Sequence, residues 1–205
     1  TKTEDSSVQT LILCPTRELC IQITNDLLSY SKYLKSINIL AVYGGTKIDK
    51  QIKSLKKGPQ IVIGTPGRTK DLIKRKKLFV GKIQRLILDE ADEMLSMGFK
   101  DDLEMIIHST SEKKQILLFS ATMTPKVLSV TKKYMQNSIE IAVARVNLAA
   151  ENVQHLYYMV QAKDRYEVVK RIADMNPDIY GIVFCRTRRE TKEVANKLIN
   201  DHYNA

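Results

Sequence analysis

LILDEADEML, residues 86–95, runs an apolar stretch into four carboxylates and then returns to apolar residues. Gln84 to Leu88 read as a buried parallel strand, and open α/β sheets hold ligands just beyond the carboxyl ends of such strands. Asp89 and Glu90 stand at that end. Two readings fit them. In nucleotide hydrolases one carboxylate holds Mg²⁺ through its waters and the next polarises the attacking water. Alternatively, acids at a helix N-terminus stabilise the dipole and its free N–H groups by about 0.3–1 kcal/mol each.

Working outward, short β-branched or leucine-rich runs alternate with amphipathic ones, which predicts βαβ units, an α/β class and a parallel sheet. Strands are expected at 9–13, 38–43, 60–63, 84–88, 115–119 and 139–143. Helices are expected between them, with apolar faces at Leu19, Ile23 and Leu27, at Leu103, Ile106 and Ile107, and at Val127, Val130 and Tyr134. The pattern lapses through ARVNLAAEN and then restarts. VQHLYYMV and DIYGIVFC are expected as strands, KDRYEVVKRIADM and RRETKEVANKLI as helices. The lapse predicts a first domain at 1–146, a linker at 147–152 and the start of a second domain at 153–205. That second part offers little apolar surface for independent stability.

Four further strand ends carry polar residues of interest. In LILCPTRELCIQI, Pro15 fixes a turn, Thr16 can cap a helix whose N–H groups suit a phosphate, and Arg17 adds charge. A well-capped helix explains the same residues. IVIGTPGRTKDLI repeats the device, with Thr65 as a possible cap, Pro66 at the first helical position, then Gly67 and Arg68. Between them Gly44 and Gly45 allow close backbone approach or simply a turn. In LLFSATM, Ser120 and Thr122 flank Ala121 with hydroxyls able to bond carboxylates. In IVFCRTRRE, Thr187 opens a helix among Arg186, Arg188 and Arg189, a setting suited to phosphate.

PTREL, GG, TPGR, DEAD, SAT and VFCRT, in that order, closely resemble the DEAD-box ATP-dependent RNA helicases, over almost the whole chain. The resemblance implies two RecA-like domains, each a parallel sheet flanked by helices, that bind ATP and Mg²⁺ between them and RNA across both. It implies that Asp89 holds the Mg²⁺ shell, that Glu90 orients the hydrolytic water, and that Asp92 with Ser120, Ala121 and Thr122 links the nucleotide to RNA. Pro15, Thr16, Arg17, Gly44, Gly45, Thr65, Pro66, Gly67 and Arg68 then line the RNA backbone in the first domain, and Arg186 and Thr187 continue it in the second. Contacts to phosphate and sugar are expected to be independent of base sequence and sensitive to salt.

Charge and composition agree with such a partner without requiring it. The net charge is +10. Residues 1–150 hold 24 Lys/Arg against 15 Asp/Glu, and residues 151–205 hold 9 against 8. Clusters at Lys47 to Lys57, Arg68 to Lys77 and Lys113 with Lys114 suit phosphates, or form a solvated surface. No apolar run approaches the roughly 20 residues of a membrane span, and the default expectation is a cytosolic protein. The three cysteines, Cys14, Cys20 and Cys185, show no metal spacing and are expected to be buried thiols. GxxxxGK[ST], the phosphate-cradling pattern, does not occur in the 205 residues. The chain is therefore read as part of a helicase, with little nucleotide affinity by itself.

Overall fold

Five short strands organise the first part of the chain: β1 (Thr10–Leu13), β2 (Ile39–Val42), β3 (Ile61–Gly64), β4 (Arg85–Leu88) and β5 (Gln115–Leu118). The computed structural model describes residues 7–34, 36–142 and 153–205. The strands form one sheet in the order β2-β3-β1-β4-β5, with every neighbouring pair parallel. Between them lie α1 (Arg17–Tyr30), α2 (Ile48–Leu55), α3 (Pro66–Lys74), α4 (Ala91–Ser96) and α5 (Lys100–Ser109), and α6 (Pro125–Tyr134) follows β5.

Register follows from the alternation of side chains across the sheet. On one face Leu11, Leu13, Val62, Leu86 and Leu88 join Leu72, Met94, Leu103, Ile106 and Val127 from the helices. On the other, Ile12, Cys14 and Ile63 meet Cys20, with Leu19, Ile23 and Leu27 of α1 packed against them. β1 is buried along its whole length, as a central strand covered on both faces must be. A fully buried leucine contributes about 1.5–3 kcal/mol, and a slip of one residue would exchange the two faces, so the pairing is strongly specified. Leu13 lies opposite both Gly64 and Leu88, Val42 opposite Gly64, and Leu88 opposite Leu118. All five carboxyl ends therefore finish at one level.

The chain also turns back on itself beside β1. From β1 it crosses to the edge strand β2, returns to β3, and then passes to β4 on the other side of β1. Ligands of open α/β sheets lie at such a switch point.

The first compact unit is Thr1–Asn147 and the second Leu148–Ala205. The second contains a 3₁₀ turn (Ala162–Asp164), α7 (Arg165–Met175) and α8 (Arg188–Asn200). Tyr166 donates to Asp201 at 2.7 Å and Tyr203 donates to Asp174, tying α8 and the chain end to α7. Burial and the Asp201 carboxylate push the Tyr166 hydroxyl up to about 12.

Three expected strands do not form. Residues 139–142 pair with no strand among the described residues, and Ile139 and Ile141 are exposed, while Val143 and the expected linker 147–152 lie outside the described residues. VQHLYYMV and DIYGIVFC likewise make no ladder, and Tyr157, Met159, Ile182 and Phe184 face solvent. An apolar run becomes a strand only where a neighbour accepts its hydrogen bonds, and these runs do not pair with each other. Among the described residues no helix is long and apolar enough to cross a membrane.

Candidate active site

β4 delivers its acids directly onto the common edge. The Asp89 N–H donates to Leu13 O at 2.9 Å, continuing the β1–β4 ladder one residue past the strand. Asp89 Oδ1 then accepts the N–H of Glu90 at 3.1 Å. Glu90 sits at the start of α4 with φ 52° and ψ 51°, in the left-handed region, and its side chain makes no cap bond. That backbone costs a non-glycine residue roughly 1–2 kcal/mol. Glu90 thus makes no cap hydrogen bond at the helix start, while Asp92 and Glu93 stand in the first turn, where acids stabilise the helix dipole.

Asp92 is held across the gap between β4 and β5. Its Oδ2 accepts the N–H of Thr122 at 2.9 Å and the Thr122 hydroxyl at 2.6 Å, while Oδ1 accepts the N–H of Glu93 at 3.1 Å. Ser120 Oγ donates to Thr122 O at 2.8 Å and stiffens the same turn. Partial burial pushes the Asp92 carboxyl up, but the hydrogen bonds from Thr122, Ser120 and Glu93 outweigh it and hold the group below the usual carboxylate range. The N–H of Ala91 donates to Phe119 O at 3.0 Å, so backbone and side chain both join these two turns. Ala121 is exposed at the turn's apex.

A second constellation occupies the same edge at β1, β3 and β2. Thr16 caps α1, its hydroxyl accepting the N–H of Leu19 at 3.2 Å. Thr65 begins α3 without a side-chain cap bond, contrary to the expectation from sequence; Pro66 at the first turn sets the helix start instead. Pro15 and Pro66 are buried and shape their turns, whereas Arg17 and Gly67 are exposed. The Arg17 guanidinium lies 5.1 Å from the Tyr43 ring centroid. Of the two turn glycines only Gly45, at φ 76°, requires glycine.

Sequence reasoning missed the residue that organises this cluster. Gln51, buried on α2, donates to Tyr43 O at 3.0 Å and to Thr46 Oγ1 at 2.8 Å, and accepts from Arg68 Nη1 at 3.0 Å. Arg68 Nη2 reaches Thr46 O at 3.1 Å. Arg68 is thus tied to the Gly44-Gly45 turn. The available signal was a lone glutamine six residues after a Gly-Gly turn, which no general rule singles out. Gly64 was also missed: a Cβ there would stand 2.8 Å from Val42 Cγ2 and would strike Thr69 Oγ1, so β3 can end only in glycine without rearrangement.

Below the edge, Cys14 and Cys20 are fully buried thiols, Cys20 Sγ donating to Ile63 O at 3.4 Å. The Cys20 contact and burial push the Cys14 thiol up and keep it protonated. Cys185, expected buried, is only half-buried. In the second unit, Thr187 caps α8 by accepting the N–H of Glu190 at 3.1 Å, and Glu190 Oε2 in turn accepts the N–H of Arg186 at 3.2 Å, a reciprocal capping arrangement. The Arg186 guanidinium lies 3.7 Å from the same carboxylate.

No group of three or more His, Cys, Asp or Glu able to hold a metal occurs among the described residues. Asp89 and Glu90 offer oxygen ligands of the kind Mg²⁺ takes when it keeps most of its waters and draws its other ligands from phosphates. The acids fit a hydrated Mg²⁺; a phosphate cradle is not among the residues described.

A parallel sheet covered on both faces, with an acid pair and a hydroxyl-bound aspartate at its switch point, matches the RecA-like α/β domain that the resemblance implied. A family model described as DEAD/DEAH box helicase matches residues 1–130, and the chain belongs to that family. The DEAD-box ATP-dependent RNA helicase CshA of Streptococcus pneumoniae is 42% identical over 197 residues, which cover 96% of this chain and 37% of that protein. The ATP-dependent RNA helicase DeaD of Mycobacterium tuberculosis is 40% identical over 190 residues, 93% of this chain and 33% of that protein. The chain thus spans about a third of the length of these relatives. The crystal structure of a DEAD box protein from the hyperthermophile Methanococcus jannaschii is similar with a TM-score of 0.62 at 40% identity, covering 97% of this chain and 53% of that one.

Proposed function

We propose that this chain forms part of an ATP-dependent RNA helicase that couples ATP hydrolysis to local unwinding of RNA or remodelling of RNA–protein contacts. The observation that carries the reading is the Asp92–Thr122 pair, which fastens the turn bearing Asp89 and Glu90 to the turn bearing Ser120. A shift of either turn is then transmitted to the other.

In this reading Asp89 holds hydrated Mg²⁺, which supplies charge neutralisation when the nucleotide is bound, and Glu90 orients the attacking water. The Glu90 side chain makes no cap bond at the helix start, which leaves its carboxylate available for that task. Thr16, Arg17, Gly45, Thr65, Gly67 and Arg68 meet the RNA backbone, through the free N–H groups at the starts of α1 and α3 and through guanidinium charge. Arg186 and Thr187 do so in the second unit once Glu190 yields to phosphate.

RNA-stimulated ATP hydrolysis by the complete natural protein tests the proposal. Glu90→Gln is expected to abolish turnover while nucleotide and RNA binding persist; turnover near the wild-type rate would refute the role of Glu90.

A second reading treats these 205 residues by themselves as an RNA-backbone-binding module, because no GxxxxGK[ST] occurs among them. Titration of the chain with single-stranded RNA at two salt concentrations should give weaker binding at the higher one, and a flat response would count against it.

A further inference from the structure

A cavity of about 680 Å³ opens at the other end of the sheet. Its walls come from segments that lead into strands: Val8 before β1, Pro59 before β3, and the turn of residues 76–82 before β4. The motifs described above all follow strands, and in a parallel sheet the two sets lie at opposite ends. The cavity therefore does not belong to the candidate active site.

Its chemistry is two-sided. Leu55 and Val80 give an apolar floor, and Phe79, 74% exposed, stands open beside them. The rim is basic: Lys76, Lys77 and Lys82 line the cavity, Lys56 and Lys57 adjoin it, and no carboxylate among the described residues contributes to its lining. All five lysines are exposed, and none forms an ion pair among the described residues.

Helix capping does not explain the rim. The carbonyls at the end of α3 are already met by backbone: Lys76 N–H donates to Ile73 O at 2.9 Å and Lys77 N–H to Leu72 O at 2.9 Å, with Lys76 at φ 54° in the left-handed place that usually favours glycine. Those backbone bonds use none of the lysine side chains.

An RNA strand would satisfy the rim and stack a base on Phe79, but it would leave the aliphatic floor of Leu55 and Val80 unfilled. A protein segment carrying carboxylates around one bulky apolar residue satisfies both. We propose that this cavity docks an acidic segment of a partner protein, its apolar anchor seated against Phe79 and Val80 and its carboxylates on Lys76, Lys77 and Lys82. The proposal is independent of the helicase reading, since it uses none of that site's residues.

The test titrates the chain with a fluorescein-labelled peptide of aspartates and glutamates around a single phenylalanine, read by anisotropy. Saturable binding is expected, with amide-exchange protection at residues 76–82. Affinity should fall by about tenfold or more both in Lys77→Glu/Lys82→Glu and when the phenylalanine of the peptide is replaced by alanine. Both lysines are exposed, so the variant should fold, and thermal melting checks this. Absence of binding, equal binding by the charge-reversed variant, or indifference to loss of the anchor would each overturn the proposal. So would single-stranded RNA displacing the peptide and losing affinity for the same variant to the same degree, which would assign the cavity to nucleic acid.

Discussion

Gln51→Ala should loosen the Gly44-Gly45 turn while leaving the sheet intact. The substitution removes two neutral hydrogen bonds, to Tyr43 O and Thr46 Oγ1, and one charge-assisted bond from Arg68. At about 1 kcal/mol for each neutral bond and 1.5–3 kcal/mol for the charged one, the gross loss is about 3.5–5 kcal/mol. Tyr43 and Arg68 are half-buried, so water can partly replace Gln51, and the expected net loss is about 2–3 kcal/mol. Denaturant titration measures it, and amide exchange at residues 44–46 should quicken beyond what global destabilisation explains. Gln51→Glu separates the terms, because it still accepts from Arg68 but has no donor for Tyr43 O and places a carboxylate against that carbonyl. It should therefore loosen the turn nearly as much. In a double-mutant cycle with Arg68→Ala, a coupling of about 1–2 kcal/mol is expected. A loss below about 0.5 kcal/mol for Gln51→Ala, with unchanged exchange at 44–46, would refute the assignment of Gln51 as the organiser of this turn.

Gly64→Ala should cost about 1–3 kcal/mol through overpacking against Val42 and Thr69, and combining it with Thr69→Ala should cost less than the sum; strict additivity in denaturant titrations would contradict the contact. Thr69 is fully buried and its hydroxyl has no hydrogen-bond partner, so Thr69→Val should raise stability by about 1 kcal/mol, and a fall in melting temperature would show that the hydroxyl is used. The folded-state value for Asp92 is lowered, so its contribution is complete above the ordinary aspartate value of 3.8 and is lost as pH falls through the folded value. The Thr122 amide resonance should accordingly titrate with a midpoint below 3.8, and a midpoint at or above that would remove the basis for the Asp92–Thr122 link.

Five strands and the helices α1, α5 and α6 were legible because their residues satisfy two conditions at once, a period that matches the element and a place in a common core. Leu11, Leu13, Leu86 and Leu88 alternate in sequence and meet on one face. Ile139, Ile141, Ile182 and Phe184 have the same local pattern, yet remain exposed and unpaired. Periodicity reports which face of a strand is apolar; it does not report whether a neighbouring strand exists. The PTREL, TPGR, DEAD and SAT turns were legible as a set because each lies at a strand end, where the backbone must leave the ladder and polar residues concentrate. Gln51 was invisible for the complementary reason: its partners are one backbone and two side-chain groups brought to it by the β2–β3 pairing and by α3, none of which leaves a mark near position 51.

The same register explains why one edge can hold both constellations. Leu13, Val42, Gly64, Leu88 and Leu118 end level with one another, so the residues that follow them are neighbours irrespective of their separation in sequence. At that edge Glu90 is the residue whose backbone conflicts with its own side chain: a left-handed position where glycine or asparagine would be less strained, with no capping bond in compensation. Strain of this kind persists where neighbours over-determine it, and here Asp89 is tied to Leu13, Ala91 to Phe119 and Asp92 to Thr122 on either side of Glu90. Those three anchors fix the turn without using the Glu90 carboxylate. Those bonds account for the left-handed turn by themselves, so the turn does not explain why an acid stands where glycine or asparagine would be less strained.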